Sequence, residues 1–304
     1  MILDLIARDL GIPANYIAGL VRTASHRYFS FTIPKKSGGE RVIHHPSREL
    51  KLIQRWLVKN VFGRIPVHDA AFGYRKGLNI AQHAAVHSRH NFLLKLDFTD
   101  FFPSILGTDV VSTLRRNARA LSEIIASESD YEAIRLVVCR QGRLTIGAPS
   151  SPLVSNVVMF EFDRDWAGWS QAKGIAYSRY ADDLCFSTDQ RDSLADLLNQ
   201  LRADIAKRDS PRLQLNDDKT VYTSRKRRRL VTGLILTPTK EISVGRARKR
   251  KVKSLVFQFS KGRLSEPEKA KLRGIVSYIR SVEPTFIDAL RKKYKPEVLA
   301  SIGL

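Results

Sequence analysis

Cysteine is scarce in this sequence, and long apolar runs are absent. Its two cysteines, Cys139 and Cys185, provide neither a disulfide framework nor a zinc-ligand set, which suits a reducing compartment. No stretch approaches the ~18 uninterrupted apolar residues that a membrane span requires. The N-terminal apolar run is broken by Asp4, Arg8 and Asp9, so it does not resemble a signal peptide. These absences predict a soluble, cytoplasmic protein with no membrane partner.

Acidic residues are also in a clear minority. The 304 residues include 52 lysines and arginines against 30 aspartates and glutamates, a formal net charge of +22. Such an excess favours a polyanionic partner, because each basic side chain that meets a phosphate releases a condensed counterion. A merely solubilising surface is the alternative. Composition does not distinguish DNA from RNA, or an enzyme from a coat protein.

The hydrophobic pattern predicts a mixed α/β chain that is long enough for two or three packed subdomains. A glycine-containing loop joins two strands near the N-terminus, and the composition becomes basic and helical from Thr239 onward. Strands are predicted at 28–33, 41–44, 92–98, 175–180, 184–187 and 230–236, and helices at 49–62, 109–116, 132–139, 154–169 and 193–208.

Three aspartates carry the predicted chemistry. Asp97 ends a dense apolar strand, and Asp182 and Asp183 occupy the tip of a predicted hairpin. Transfer of a nucleotidyl group places negative charge on the attacking and leaving oxygens, and two Mg²⁺ ions about 3.5–4 Å apart can stabilise both. We expect Asp97 and Asp182 to bridge the ions, with Asp183 as a less direct third ligand. Taken singly, each could be an ordinary strand-end or turn aspartate.

The same segments resemble those of a known family. Tyr180-Ala181-Asp182-Asp183 between apolar strands is similar to the Tyr-x-Asp-Asp hairpin of reverse transcriptases, and Asp97 followed by Phe102 resembles their first metal-binding motif. The resemblance implies an α/β (α+β) right-hand polymerase fold with fingers, palm and a small helical thumb. It also implies that Asp97, Asp182 and Asp183 are catalytic metal ligands and that Phe102 is the steric gate against ribonucleotides. Phe98 and Phe101 are expected to pack in the core instead.

Three further segments resemble nucleotide contacts of that family. In the loop 33–41, Lys35 or Lys36 together with Arg41 would neutralise the triphosphate, although a solvated charged loop has the same composition. Gly147 would lie along the nascent base pair, where this chain has Ile146 in place of the glutamine of many members. Lys219, in 215–220, would lie near the departing pyrophosphate, with an ordinary surface lysine as the alternative.

Three features resemble the retron branch. Residues 231–233 read Val-Thr-Gly, and residues 77–87 occupy the place of the retron Asn-Ala-x-x-His element, with Ala84 and His87 matching and His83 replacing the asparagine. His87 is therefore an expected RNA contact, although both histidines could instead be packed helix residues. The third feature is size, since the thumb-like tail leaves no room for RNase H, maturase or endonuclease domains.

The basic tail is the expected RNA-specificity element, with a generic nucleic-acid clamp as the alternative. Its predicted RNA contacts are Arg246, Arg248, Lys249, Arg250, Lys251 and Lys253. The subdomains are predicted as fingers at 1–90, palm at 91–236 with a fingers segment at about 109–145, and thumb at 237–304.

The resulting hypothesis is a retron reverse transcriptase that copies part of a cognate structured non-coding RNA with dNTPs and two Mg²⁺ ions. The resemblance implies priming from the 2′-OH of an internal guanosine, a branched RNA–DNA product that stays bound, and an anti-phage system with a separate effector protein. Another compact prokaryotic enzyme of the diversity-generating or abortive-infection type is one alternative. A non-catalytic RNA-binding scaffold of the same fold is another.

Overall fold

The computed structural model describes residues 1–35 and 38–303 and divides the chain into two compact units. The first unit contains Met1–Lys76, Lys95–Leu184 and Ala195–Thr220. The second contains Gly77–Leu94, Cys185–Leu194 and Val221–Leu304. Each unit is therefore built from three separate stretches of chain.

The first unit begins with two short helices and a hairpin. Helix α1 is Ile2–Leu10 and α2 is Ala14–Arg22, followed by the antiparallel strands β1 (Tyr28–Pro34) and β2 (Glu40–Pro46), in which Ile33 faces Arg41. Helix α3 (Arg48–Asn60) starts where the Ser47 hydroxyl accepts a hydrogen bond from the Leu50 amide at 3.3 Å. An N-cap of this kind satisfies one of the free amides of the first turn.

The middle of the first unit is mostly helical, and one predicted helix is interrupted. The predicted helix at 154–169 is two helices, because Met159, with φ −78° and ψ 0°, leaves the α conformation between them. Both flanking segments are apolar, so periodicity alone does not reveal the break. The helices are α5 (Phe101–Ser104), α6 (Gly107–Arg116), α7 (Ala118–Leu121), α8 (Glu128–Val138), α9 (Ser151–Val158), α10 (Phe160–Ala172) and α11 (Ser193–Lys207).

A four-stranded sheet carries the segments with the aspartates. Its strands are β3 (Phe92–Asp97), β4 (Ala176–Tyr180), β5 (Asp183–Thr188) and β6 (Val221–Ser224), in the order β4-β5-β3-β6. The two central strands, β5 and β3, are adjacent in space but far apart in sequence. Their inner positions are apolar and buried, as expected for central strands.

The second unit packs a small sheet and helices around its own core. Its elements are α4 (Ile80–Ser88), the antiparallel strands β7 (Arg229–Val231), β8 (Leu234–Leu236) and β9 (Ile242–Ser243), and helices α12 (Arg246–Ser260), α13 (Glu266–Val282), α14 (Pro284–Arg291) and α15 (Pro296–Ala300). Side chains from α4, β8, α12, α13 and α14 share one apolar cluster.

The prediction of one strand at 230–236 was wrong. The segment is a hairpin of β7 and β8, and its two-residue turn places Thr232 at φ 44° and Gly233 at φ 81°. Positive φ at both central positions is the geometry of the tight turns that match strand twist. The flanking apolar residues conceal this turn in the sequence.

Across the described residues, no helix has both the length and the apolar character needed to cross a membrane.

Candidate active site

Backbone hydrogen bonds bring the first aspartate to the hairpin that carries the other two. The amide of Phe98, immediately after Asp97, donates to the carbonyl of Asp182 at 3.1 Å. On the other side, the Asn216 amide donates to the carbonyl of Asp97 at 2.8 Å. The end of β3 is therefore fixed between the β4–β5 turn and the segment that leads to Lys219.

The turn between β4 and β5 has an unusual backbone conformation. Ala181 adopts φ 56°, in the left-handed region that residues with a side chain seldom occupy. Such a conformation persists only when surrounding contacts stabilise it. In this turn it reverses the chain between Tyr180 and Asp183, and it places Asp182 and Asp183 at the end of the sheet.

A buried arginine supplies those contacts. The Arg179 guanidinium is fully buried and donates to the Asp163 carboxylate, with Nη2–Oδ2 at 2.6 Å and Nε–Oδ1 at 2.8 Å. Its Nη1 donates to the carbonyl of Ala181 at 3.0 Å and to Oδ1 of Asn156 at 3.1 Å. The strained residue of the turn is thus bonded directly to a buried ion pair on α10.

A second segment packs on the turn from outside the sheet. The Arg179 amide donates to the Ala70 carbonyl, and the Phe72 amide donates to the Arg179 carbonyl, both at 2.7 Å. Asn156 Nδ2 donates to the Gly73 carbonyl at 2.8 Å. A Cβ on Gly73 would lie 2.8 Å from the Ala181 amide nitrogen, so only glycine allows this approach.

The carboxylates of the site repel one another. Burial and the negative charge of Asp97 raise the pKa of Asp182 to about 6, and burial also raises the pKa of Asp183. Among the described residues, the oxygens of these three carboxylates do not all come within 4.8 Å of one another. Asp183 instead faces Lys95, with Oδ1 4.0 Å from Nζ.

One cation of the protein already lies against the first aspartate. Lys219 Nζ is 2.7 Å from Asp97 Oδ1, and this hydrogen bond raises the pKa of the lysine. Excess negative charge in a half-buried cluster and hard oxygen donors are what a divalent cation requires. The donor set therefore fits divalent ions held by Asp97 and Asp182, with Asp183 facing Lys95.

Aromatic rings border the carboxylates. The ring of Phe102, on α5, is 6.3 Å from that of Tyr74, which is 6.5 Å from that of Tyr180. Burial and the charge of Asp182 raise the pKa of Tyr74, and the positive charge of Arg41 opposes this shift. Arg41 and Tyr74 thus belong to the same surroundings as the aspartates. Sequence reasoning missed Tyr74, whose only local signal is its position after Gly73.

The remaining predicted nucleotide contacts include Gly147 and the lysines of the β1–β2 hairpin. Gly147 packs against β2, where a Cβ would lie 2.7 Å from the His44 carbonyl, and the neighbouring Ile146 carbonyl accepts from the His44 amide at 2.8 Å. Lys35 is exposed, and Lys36 lies outside the described residues. Phe98 and Phe101 are buried and stacked, which confirms their predicted role in the core.

The predicted RNA contacts fall into three groups. Most of those on α12 are exposed, but Lys249 is half-buried and forms an ion pair with Glu283. Its charge is already neutralised inside the protein. His87 is fully buried on α4, so its ring does not present itself at the surface as an RNA contact would. The structure therefore supports the alternative of a packed helix residue for His87. The exposed side chains are those of Arg246, Arg248, Arg250, Lys251 and Lys253.

Comparison with known proteins agrees with this geometry. Residues 33–259 match the family model described as "Reverse transcriptase (RNA-dependent DNA polymerase)". The retron Ec83 reverse transcriptase of Escherichia coli is 37% identical over 92% of this chain and 91% of its own length. The retron Ec73 enzyme of the same organism is 33% identical over 88% of this chain and 86% of its own length.

A solved telomerase from Candida albicans, in complex with a TWJ fragment of telomeric RNA, is 13% identical with a TM-score of 0.49, and covers 90% of this chain. This chain spans 59% of that telomerase chain.

The chain belongs to the reverse transcriptase family, and its mixed sheet and helices form the right-hand polymerase fold of RNA-directed DNA polymerases. Within that family it belongs to the retron reverse transcriptases of bacteria. Enzymes with this domain use divalent metal ions.

The raised pKa of Asp182 predicts a pH-dependent stability. Its pKa is 3.8 when unfolded and about 6 when folded, so the stabilisation by the protonated form is complete below pH 3.8 and is lost as the pH rises through about 6. With divalent ions removed by EDTA, Asp182→Asn should stabilise the chain by about 3 kcal/mol at pH 8 and by less than about 1 kcal/mol at pH 4. Urea unfolding at the two pH values measures this. Asp209→Asn, on a side chain 92% exposed, is the control, and an equal gain for Asp182→Asn at both pH values would contradict the assignment.

The buried ion pair predicts a large loss of stability from a small change. Asp163→Asn leaves the charged Arg179 buried without its counterion, which should cost about 3–5 kcal/mol of unfolding free energy. Glu161→Gln, on the same helix, removes an ion pair with Arg164 in which both side chains are about half exposed, and should cost about 0.5 kcal/mol or less. Urea unfolding of the two variants measures the difference. Equal losses would show that the Arg179–Asp163 pair does not support the turn.

Proposed function

We propose that this chain copies an RNA template into DNA at Asp97, Asp182 and Asp183, by attack of a primer hydroxyl on the α-phosphate of a dNTP with pyrophosphate as the leaving group. The observation that carries the proposal is the pair of backbone bonds at Asp97, which join the end of β3 to the β4–β5 turn through Asp182 and to the Lys219 segment through Asn216. Two Mg²⁺ ions, when bound, would stabilise the negative charge on the attacking and leaving oxygens.

The electrostatics of the chain suit this role for the aspartates. Asp182, with its pKa raised to about 6 by burial and by Asp97, gains most from a neighbouring divalent cation, because that cation offsets both effects. Asp97 and Asp182 are the expected bridging ligands. Asp183, whose carboxylate faces Lys95, is the less direct third ligand.

Lys219 has two features that suit a role at the pyrophosphate. Its ammonium is bonded to Asp97 and its pKa is raised, so it is fully protonated at neutral pH. Its side chain is half exposed, which leaves it free to turn toward a bound triphosphate. We expect Lys219 to leave Asp97 when a divalent cation takes over the charge, and then to protonate the departing pyrophosphate.

The incoming nucleotide would lie between the β1–β2 hairpin and the aromatic side chains. Arg41 and Lys35 would neutralise the triphosphate, together with Lys36, which follows Lys35 in the sequence. Phe102 would lie under the sugar and exclude a 2′-hydroxyl, with Tyr74 as its neighbour. Gly147 would border the nascent base pair, at a position whose backbone already packs on β2.

The RNA partner would be held by the basic helix α12 and its neighbour α13. Arg248 and Lys251 line a cavity of ≈ 470 Å³ together with Lys271 and Tyr278, and Arg248 stacks on the Tyr278 ring at 5.1 Å. Clustered guanidinium and ammonium groups around an aromatic ring suit phosphates and an unpaired base. This region would form the thumb at 237–304, with the fingers at 1–90 and the palm at 91–236.

The retron relatives suggest the particular reaction. By analogy with that family, the template is part of a cognate structured non-coding RNA, and the first primer is the 2′-OH of an internal guanosine. The product would be a branched RNA–DNA that stays bound. Its expected setting is an anti-phage system with a separate effector protein, in the cytoplasm.

Removal of one carboxylate should separate catalysis from binding. Asp182→Asn should lower dNTP incorporation on an RNA template at least about 10³-fold, since it removes a metal ligand, and should leave RNA affinity within about twofold. Primer extension with Mg²⁺ and filter binding of the RNA measure the two effects. The exposed Asp209→Asn is the control. Residual synthesis comparable to that of the control would refute the assignment of Asp182 as a ligand.

Exposed arginines on α12 should determine the salt dependence of RNA binding. Replacing Arg246, Arg248 and Arg250 together by glutamine should reduce the slope of log K against log salt by about 2–3, because three phosphate contacts are lost. The matched control replaces Lys269 and Arg291, whose charges are offset by Glu266 and Asp288 three residues away. Titrations at several salt concentrations give both slopes, and an unchanged slope for the triple variant would show that these arginines are solvated surface.

A further inference from the structure

The second unit contains a cluster of metal-ligating side chains that the polymerase reaction does not use. His83 and His87 are four residues apart on α4, and therefore lie on the same face of that helix. Cys185 lies on β5, and all three side chains are fully buried. One ligand atom from each lies within 4.8 Å of the other two.

The pairing of two histidines one helical turn apart has a known chemical use. At this spacing two imidazoles can bind one cation from a single helix face. A cation bound at about 2.0–2.1 Å to nitrogen and about 2.3 Å to sulfur needs only a small inward rotation of side chains that lie within this distance. The chain holds these side chains together without a metal-binding loop.

A hydrogen bond fixes the orientation of one ring. His87 Nδ1 is 2.8 Å from Ser187 Oγ, and Ser187 also lies 2.8 Å from His90 Nδ1. Metal-bound histidines commonly use their second ring nitrogen in such a bond, which sets the tautomer and leaves the other nitrogen for the metal. With Nδ1 as the donor to Ser187, Nε2 is the nitrogen that His87 would offer to a cation. Ser187 lies on β5, two residues after Cys185.

The surroundings favour a neutral imidazole and place the thiol among apolar side chains. Burial, together with the charges of His83 and His90, lowers the pKa of His87 well below its ordinary value, so the ring keeps a lone pair at neutral pH. Cys185 belongs to the apolar cluster that includes Ala84, Leu93 and Leu234. Two nitrogens and one sulfur in an apolar pocket are a soft donor set, unlike the carboxylates of the polymerase site.

We propose that His83, His87 and Cys185 form a buried binding site for a thiophilic closed-shell cation, Zn²⁺ or Cu⁺. Binding displaces the thiol proton of Cys185 to solvent, so that one S–H bond is exchanged for one sulfur–metal bond. With Cu⁺ the three ligands complete a neutral trigonal site. With Zn²⁺ a fourth position remains for a small ligand. The site ties α4 to β5 within the second unit, and its function is structural.

The decisive experiment uses the two cysteines of the chain. In the full-length Cys139→Ala variant, Cys185 is the sole thiol, so a thiolate-to-metal absorption band can arise nowhere else. The reduced protein is loaded with Co²⁺ as a spectroscopic probe in excess Mg²⁺, which keeps the carboxylates occupied. Separate arms measure Zn²⁺ binding and, anaerobically, Cu⁺ binding. We expect one equivalent per chain and the thiolate band.

His83→Asn is the matched test of the second ligand, because it introduces the asparagine that the retron element has at this position. It should weaken binding of the preferred cation at least about 100-fold in the Cys139→Ala background. Circular dichroism shows that the variant is folded. Absence of the thiolate band, dissociation constants weaker than about 10 μM for both cations, or unchanged affinity in His83→Asn would each overturn the proposal. Cations that bind only in competition with Mg²⁺ belong to the aspartates and also count against it.

Discussion

Mutual repulsion between carboxylates is the constraint on which the polymerase unit depends. The proposed metal site requires Asp97, Asp182 and Asp183 to lie close together, yet burial and the charge of Asp97 already raise the pKa of Asp182 to about 6. Side chains alone would move apart. The backbone prevents this, since the bonds from Phe98 and Asn216 fix both ends of the Asp97 peptide. A divalent cation bound as proposed would relieve this repulsion.

The buried Arg179–Asp163 pair follows from that constraint. The guanidinium costs desolvation energy, and hydrophobic replacement of such pairs is often neutral or stabilising elsewhere. Here it makes a directional bond to the Ala181 carbonyl, which an apolar side chain could not make. Together with the close contact of Gly73, this bond stabilises a left-handed residue that presents the two aspartates. The pair thus contributes geometry to the turn that carries the proposed catalytic aspartates.

The sequence predicted those elements that are determined by residues close to one another along the chain. The strands that end near Asp97 and at Tyr180, and the turn at Asp182-Asp183, follow from short apolar runs and the residues that interrupt them. The structure has these strands as β3, β4 and β5. The break at Met159 and the hairpin turn at Thr232 were not predicted, because both lie inside apolar stretches with no proline and, at Met159, no glycine. Tyr74 was missed because its role depends on contacts with Phe102 and Tyr180, which are distant in sequence.

The same limit explains the cluster on α4. A count of two cysteines predicted that a zinc-ligand set would be absent, but a count ignores histidines that become ligands only when helix and strand pack together. If the cluster binds a cation as proposed, one chain sorts two kinds of metal by ligand chemistry alone. Carboxylate oxygens favour Mg²⁺, which loses water reluctantly and gains little from sulfur, whereas imidazole and thiolate favour Zn²⁺ or Cu⁺. Millimolar Mg²⁺ is therefore expected to compete poorly for the two histidines and the cysteine.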